Sequence, residues 1–172
     1  MTLTDRSPAA ARRRLLSFPD PVNEVAARVV AGGVVIMVVA TIALDLPWLT
    51  AVIAYGFVAR VLSGPRFSPL GLLATRVITP RLGVAARPVP GPPKRFAQGI
   101  GAAFSLTALG LTLAGAWTAA QWVLAALAVA AFLESALGLC LGCRAFALLM
   151  RMGVIPASVC ERCTDIWATP RS

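Results

Sequence analysis

Long uncharged apolar runs, divided by short polar interruptions, dominate the chain. Val29 to Leu44 carries no charge, and after Asp45 a second uncharged run continues from Leu46 to Ala59. From Phe96 to Leu133 no charge appears over 38 residues, and beyond Glu134 uncharged residues resume as far as Cys143. A helix crosses a hydrocarbon core with about 20 predominantly apolar residues, so the third run is long enough for two passes and too long for one. It breaks at "GAWTAAQW", Gly115 to Trp122, where small and polar residues interrupt the aliphatic pattern. The pattern predicts an all-α integral membrane fold of four transmembrane helices, near residues 27–44, 47–63, 97–115 and 120–143, arranged as two hairpins. An N-terminal tail, 1–24, would precede a membrane domain, 25–163, that contains a basic connection, 64–95, and a short tail, 164–172, would follow.

Composition agrees with this class. Apolar residues make up 58% of the chain and only 13% is charged, with a mean hydropathy of +0.80. A soluble domain is about 25% charged, so this chain lacks the polar surface to be covered by water. The net charge of +9 comes from basic residues that flank the apolar runs. Arg6 and Arg12 to Arg14 precede the first helix, Arg66 to Arg95 occupy the connection, and Arg144 to Arg171 follow the fourth helix. The two hairpin loops have no Lys or Arg. Positive-inside logic therefore predicts an inner-membrane protein with both termini and the connection in the cytoplasm, and Trp48, Trp117 and Trp122 together near the opposite face. Attraction to anionic lipid accounts for the arginines without nucleic acid, for which no motif is present. The arginines and prolines of the first residues do not form a cleavable signal.

Each half has a basic start, a hairpin and a Gly–x–Arg step into a short amphipathic stretch. Aligning Gly64 with Gly142 also matches Arg66 with Arg144. Since each half would cross an even number of times, this would make a parallel internal repeat. "ARPVPGPPK", Ala86 to Lys94, reads as the linker between halves.

The segments "SGPRFSPLGLLATRV", "PPKRFAQGIGAAF" and "LGLCLGCRAFALLMRMGV" resemble those of a bacterial membrane family, domain of unknown function 4395, over most of the chain from about Val22 to Cys163. The resemblance implies a small multi-helix inner-membrane protein. Through the neighbourhood of such genes it also implies a thioredoxin-like or sulfurtransferase partner. It brings no known reaction. The resemblance also implies an acidic residue near position 56 in many relatives, where this chain has Gly56.

The four cysteines form two C-x-x-C pairs, Cys140 with Cys143 and Cys160 with Cys163, separated by sixteen residues. That spacing fits a zinc site, and four thiolates can close a structural tetrahedron without histidine, of which the chain has none. The alternative is thiol redox or sulfur relay, with Cys140 and Cys143 as the primary pair and Cys160 and Cys163 as the exchanging pair. Arg144 and Arg162 would favour thiolates, whereas the C-terminus of the fourth helix would disfavour one at Cys140 or Cys143. Gly153 and Pro156 should stop the helix and return the tail towards the first pair.

Glu134 falls inside the fourth helix, and Arg60 lies on the second. A carboxylate in a membrane faces the bundle interior or a polar cavity. The two residues are expected either to pair and fix helix packing, or to form a proton or anion site with Ser135. Within one continuous helix, Glu134 would point about 120° away from Cys140. Gly32 and Gly33, Gly99 with Ala103, and Gly138 with Gly142 should let helices approach closely, within the chain or in a homo-oligomer. Two functions remain open at this level. One is a thiol-dependent membrane component; the other is a non-enzymatic subunit or small-solute transporter whose cysteines hold Zn.

Overall fold

The structure, a computed structural model, describes residues 18–160. Helix α1 (Glu24–Ala43) begins where the Asn23 side chain accepts the Val25 N–H at 3.0 Å. Glu24 in its first turn complements the helix dipole. Just ahead, Val22–Asn23 (β1) pairs antiparallel with Pro88–Val89 (β2). Helix α2 (Leu49–Ser63) follows a turn in which Asp45 adopts φ 51°, and it ends at Gly64 with φ 65°. A tight turn, Gly64–Phe67, leads to Ser68, which caps α3 (residues 69–81) by accepting the Gly71 N–H. The middle of α3, Ala74–Ile78, widens to π-type hydrogen bonding. Then come α4 (Gly91–Leu113), α5 (Trp117–Leu137) and α6 (Leu141–Arg151).

Among the described residues, three helices are long and apolar enough to cross a membrane: α1, α4 and α5. The expected four spans are corrected on this point. Helix α2 has 15 residues, a rise of about 22 Å, short of a hydrocarbon core of about 30 Å. The cytoplasmic placement of both termini required an even number of crossings. Three is odd and separates the two ends, so that placement does not stand either. The chain remains a multi-span membrane protein. Ile36, Val52, Leu106, Trp122 and Val129 expose large apolar surfaces around its long helices, a distribution suited to lipid rather than water.

The helices also do not pack as two separate hairpins. Helix α1 packs chiefly on α5 and α2 chiefly on α4, while α4 and α5 pack on each other. The shared core joins Val34 and Val38 of α1, Phe57 of α2, Ala108 of α4, and Leu124 and Leu127 of α5. At one end of the bundle the Trp117 indole N–H donates to Asp45 Oδ1 at 2.6 Å, joining the start of α5 to the turn between α1 and α2.

Two further expectations change. Ala86 to Lys94 is no free linker: Pro88–Val89 is the partner strand of β1, and α4 already begins at Gly91. Prolines are tolerated in a first helical turn, where the backbone N–H has no partner to lose. The helix therefore starts six residues before the expected 97, and Lys94 belongs to it. The repeat register pairing Gly64 with Gly142 also fails. Gly64 ends α2 with a left-handed backbone, and the glycine that does so for α5 is Gly138, φ 68°, whereas Gly142 lies inside α6. The likeness between the halves is local: each has a left-handed glycine followed by a capped short helix.

Close approach occurs at Gly33 and Gly142, as expected, but at Gly101 in place of Gly99. A Cβ at Gly101 would overlap the Phe57 ring, and one at Gly33 would meet Leu70 Cδ1 at 2.5 Å, whereas Gly99 faces open space. Gly101→Ala is therefore expected to cost about 1–3 kcal/mol through overpacking. Gly99→Ala should be neutral or stabilising by up to about 1 kcal/mol from helix propensity. Thermal unfolding of the two variants in detergent checks the contrast.

Candidate functional site

The site begins with a break in the chain. Helix α5 ends at Leu137, and left-handed Gly138 donates its N–H to the Glu134 carbonyl at 3.1 Å. Arg28 of α1 holds this end: its Nε donates to the Ser135 carbonyl at 3.1 Å and its Nη2 to the Ala136 carbonyl at 2.9 Å. Orphan carbonyls and the negative end of the α5 dipole thus receive a cation. Two residues later α6 starts with Cys140 as its N-cap, the Sγ accepting the Cys143 N–H at 3.3 Å.

This overturns the expected fourth helix over 120–143 and the electrostatic argument drawn from it. The thiol pair stands at a helix N-terminus, where the dipole favours an anion. The register argument separating Glu134 from Cys140 disappears with the helix break, and the Glu134 charge now acts on both thiols. Gly138 and Gly142 are not a pair on one helix face. Gly142 has its own reason: a Cβ there would sit 2.6 Å from Ala97 Cα, so glycine lets the head of α6 press onto α4. Phe146 continues that contact against Phe96, with ring centroids 5.6 Å apart.

Both thiols are free; Cys140 is buried and Cys143 partly so. The hydrogen bond from the Cys143 thiol holds Cys140 below the ordinary thiol range, against burial and the Glu134 charge and with help from Lys94. Donating that bond, together with burial, pushes Cys143 far up. The two thiols therefore differ: Cys140 accepts the hydrogen bond and Cys143 donates it.

Glu134 is paired, but with Lys94 and not Arg60: Lys94 Nζ and Glu134 Oε1 lie 2.8 Å apart, with side chains 10% and 16% exposed. Sequence reasoning missed Lys94 because it read the Pro-rich stretch as a linker. The prolines at the first helical positions were the signal for a helix start. Arg60 is buried, stacks over Phe57 at 4.4 Å, and donates to Gln98 Oε1 at 2.9 Å and Ser68 Oγ at 3.0 Å. Ser135 takes no part in the Glu134 pair; its hydroxyl donates to the Phe132 carbonyl.

The turn after α6 forms as expected, with Gly153 at φ 75° and the Val154 N–H donating to the Leu149 carbonyl. It brings Cys160 back into a buried cluster with Phe146. Cys160 is disulfide-bonded, and since Cys140 and Cys143 are free thiols, neither is its partner. Cys163 lies outside the described residues. Among the described residues no group of three or more His, Cys, Asp and Glu side chains converges as a metal would require.

Two cavities flank the pair. An outer one of about 330 Å³ is lined by Lys94, Cys140, Cys143, Arg144 and Glu24. An inner one of about 320 Å³ runs between the long helices, with Val34, Phe57, Phe104 and Leu127 as walls and Arg60, Gln98, Glu134 and Cys140 at its polar end.

The chain belongs to the family described as Domain of unknown function (DUF4395), whose sequence profile matches residues 22–151. No curated protein and no solved structure matches the chain significantly. The matched region includes Cys140 and Cys143 together with Lys94, Arg60 and Glu134, and ends before Cys160.

Two outcomes are expected from this geometry. Glu134→Gln should cost about 3–5 kcal/mol, because the buried Lys94 charge loses its partner. A Lys94→Met, Glu134→Leu double variant should recover part of that loss in detergent unfolding. In a pH series, Cys140 should react with iodoacetamide before Cys143, with a midpoint below that of a free thiol at about 8.5. Lys94→Met should move the midpoint up, because it removes the cation that favours the thiolate. Quantitative mass spectrometry of the alkylated peptides reads both.

Proposed function

We propose that the protein is a membrane component of thiol–disulfide exchange, with Cys140 as the attacking thiolate and Cys143 as the resolving thiol. The observation that carries this reading is the capped dithiol at the head of α6. One sulfur receives hydrogen bonds from the other residue's N–H and thiol, and both lie on a cavity open to the outside. Such a division of labour is what exchange through a mixed disulfide needs. In the forward step the Cys140 thiolate attacks a partner disulfide, forming a new S–S bond and releasing one partner thiolate. Cys143 then gives up its proton and displaces the second partner sulfur, leaving a Cys140–Cys143 disulfide and a fully reduced partner. The reaction is reversible, and its direction follows the potentials of the two couples.

The partner that suits this chemistry is a thioredoxin-like protein. After that direct exchange, Cys160 and Cys163 serve as the exchanging pair that reduces the Cys140–Cys143 disulfide. The free thiols at Cys140 and Cys143 and the disulfide at Cys160 support the relay, since a single exchange would interconvert these states.

The test uses the reduced full chain in detergent with oxidised thioredoxin. Cys143→Ser should trap a mixed disulfide through Cys140, visible as a band that a reductant removes. Cys140→Ser should lose the mixed disulfide and the exchange, and Cys160→Ser should leave the Cys140–Cys143 disulfide to accumulate. Full exchange activity in Cys140→Ser would discard the reading.

A further inference from the structure

The inner cavity has no role in exchange with a soluble partner. Its walls are aliphatic and aromatic side chains of the long apolar helices, and its polar groups gather at one end. Among the described residues, Cys140 alone lines both this cavity and the outer one. One sulfur therefore stands between an entrance suited to a protein and a chamber suited to a lipid-soluble molecule.

We propose that the inner cavity binds a lipid-soluble quinone, which oxidises the Cys140–Cys143 dithiol. This deepens the exchange reading and rests on it, by naming the electron acceptor that turns the dithiol over. The apolar walls would take the ring face and the start of an isoprenoid tail, as ligand pockets with few placed polar groups do. At the polar end, the buried Arg60 guanidinium and the Gln98 amide are the donors available for a ring carbonyl oxygen. A free anion fits less well, since the walls are apolar and Glu134 shares the polar end.

The chemistry balances. The Cys140 thiolate adds to a quinone ring carbon, and a carbon–sulfur bond forms as the ring takes the electron pair. Cys143 loses its proton and attacks Cys140 Sγ, the carbon–sulfur bond breaks, and its electron pair stays on the ring. The ring takes up two protons and leaves as quinol. In sum, a dithiol and a quinone become a disulfide and a quinol, with two electrons and two protons transferred. The Lys94–Glu134 pair at 2.8 Å lies beside this path, and the proton that Cys143 gives up is one of the two that the ring takes up.

The experiment mixes the reduced full chain, in detergent micelles, with decylubiquinone, following quinol by absorbance and thiols by alkylation. The expected result is one quinol formed for each pair of thiols lost, with no quinol from Cys140→Ser. Ala130→Leu, which narrows the cavity one turn from Glu134, should slow quinol formation about tenfold, as overpacking of a close-fitting site does. Ala126→Leu, farther along the same wall, provides a second obstruction should the first variant fail to fold. Thioredoxin exchange is measured in parallel on the same samples. Intact exchange with quinol formation no faster than in heat-unfolded protein overturns the quinone proposal and leaves the exchange function standing. A stable quinone adduct on cysteine, without a disulfide, overturns it as well. Loss of both activities in the wild-type chain would overturn the exchange reading beneath it.

Discussion

The ion pair between Lys94 and Glu134 sets the depth at which the rest of the site is built. Removing two charges from water costs several kcal/mol for each ion, and only close contact with good hydrogen bonding offsets this. The 2.8 Å contact between mostly buried side chains therefore fixes α4 against α5 at one level. Lys94 can reach that level only because α4 begins at Gly91. Glu134 can occupy it because α5 runs on to Leu137 before it stops. Both thiols then feel a cation and an anion from a single buried pair.

The second constraint is the stop itself. A helix ending inside a bundle leaves carbonyls without partners, and here Arg28, reaching across from α1, satisfies two of them. With α5 closed in this way, Gly138 turns the chain and α6 can begin afresh at Cys140. Gly142 removes the side chain that would hold α6 away from Ala97, and the Phe96–Phe146 contact secures the next turn. The G in C-x-G-C is therefore a packing requirement between two helices. The cysteines around it are placed by that packing.

Much of this was legible in the sequence, and the failures have physical causes. The apolar runs located every long helix to within several residues, since periodicity and length are strong signals in lipid. The number of spans was overcounted because α2 has the right composition but not the length. The helix break at Gly138 was hidden because hydropathy does not register a change of direction inside an apolar stretch. A glycine with a leucine and a cysteine after it reads as continued helix unless left-handed backbone is considered. Lys94 was missed because prolines suggest a linker, although two of them in a first turn are compatible with a helix. The partner of Glu134 was consequently assigned to Arg60, the cation on the expected second helix. Arg60 proved instead to be satisfied by Gln98, Ser68 and the Phe57 ring.

The same helix break decides the chemistry. On a continuous helix, Cys140 and Cys143 would sit near the negative end of a dipole and be poor nucleophiles. With the helix restarted at Cys140, the sulfur accepts the Cys143 N–H, faces the positive end of α6 and lies within the field of Lys94. Burial opposes the charge on sulfur but does not prevail, because hydrogen bonding and the nearby cation act together. The Cys140 sulfur is therefore favoured as an anion while remaining buried. Among the described residues this sulfur lines both flanking cavities, one walled by apolar helices and one by Lys94, Arg144 and Glu24, so the two sides of the site offer different surfaces to whatever approaches it.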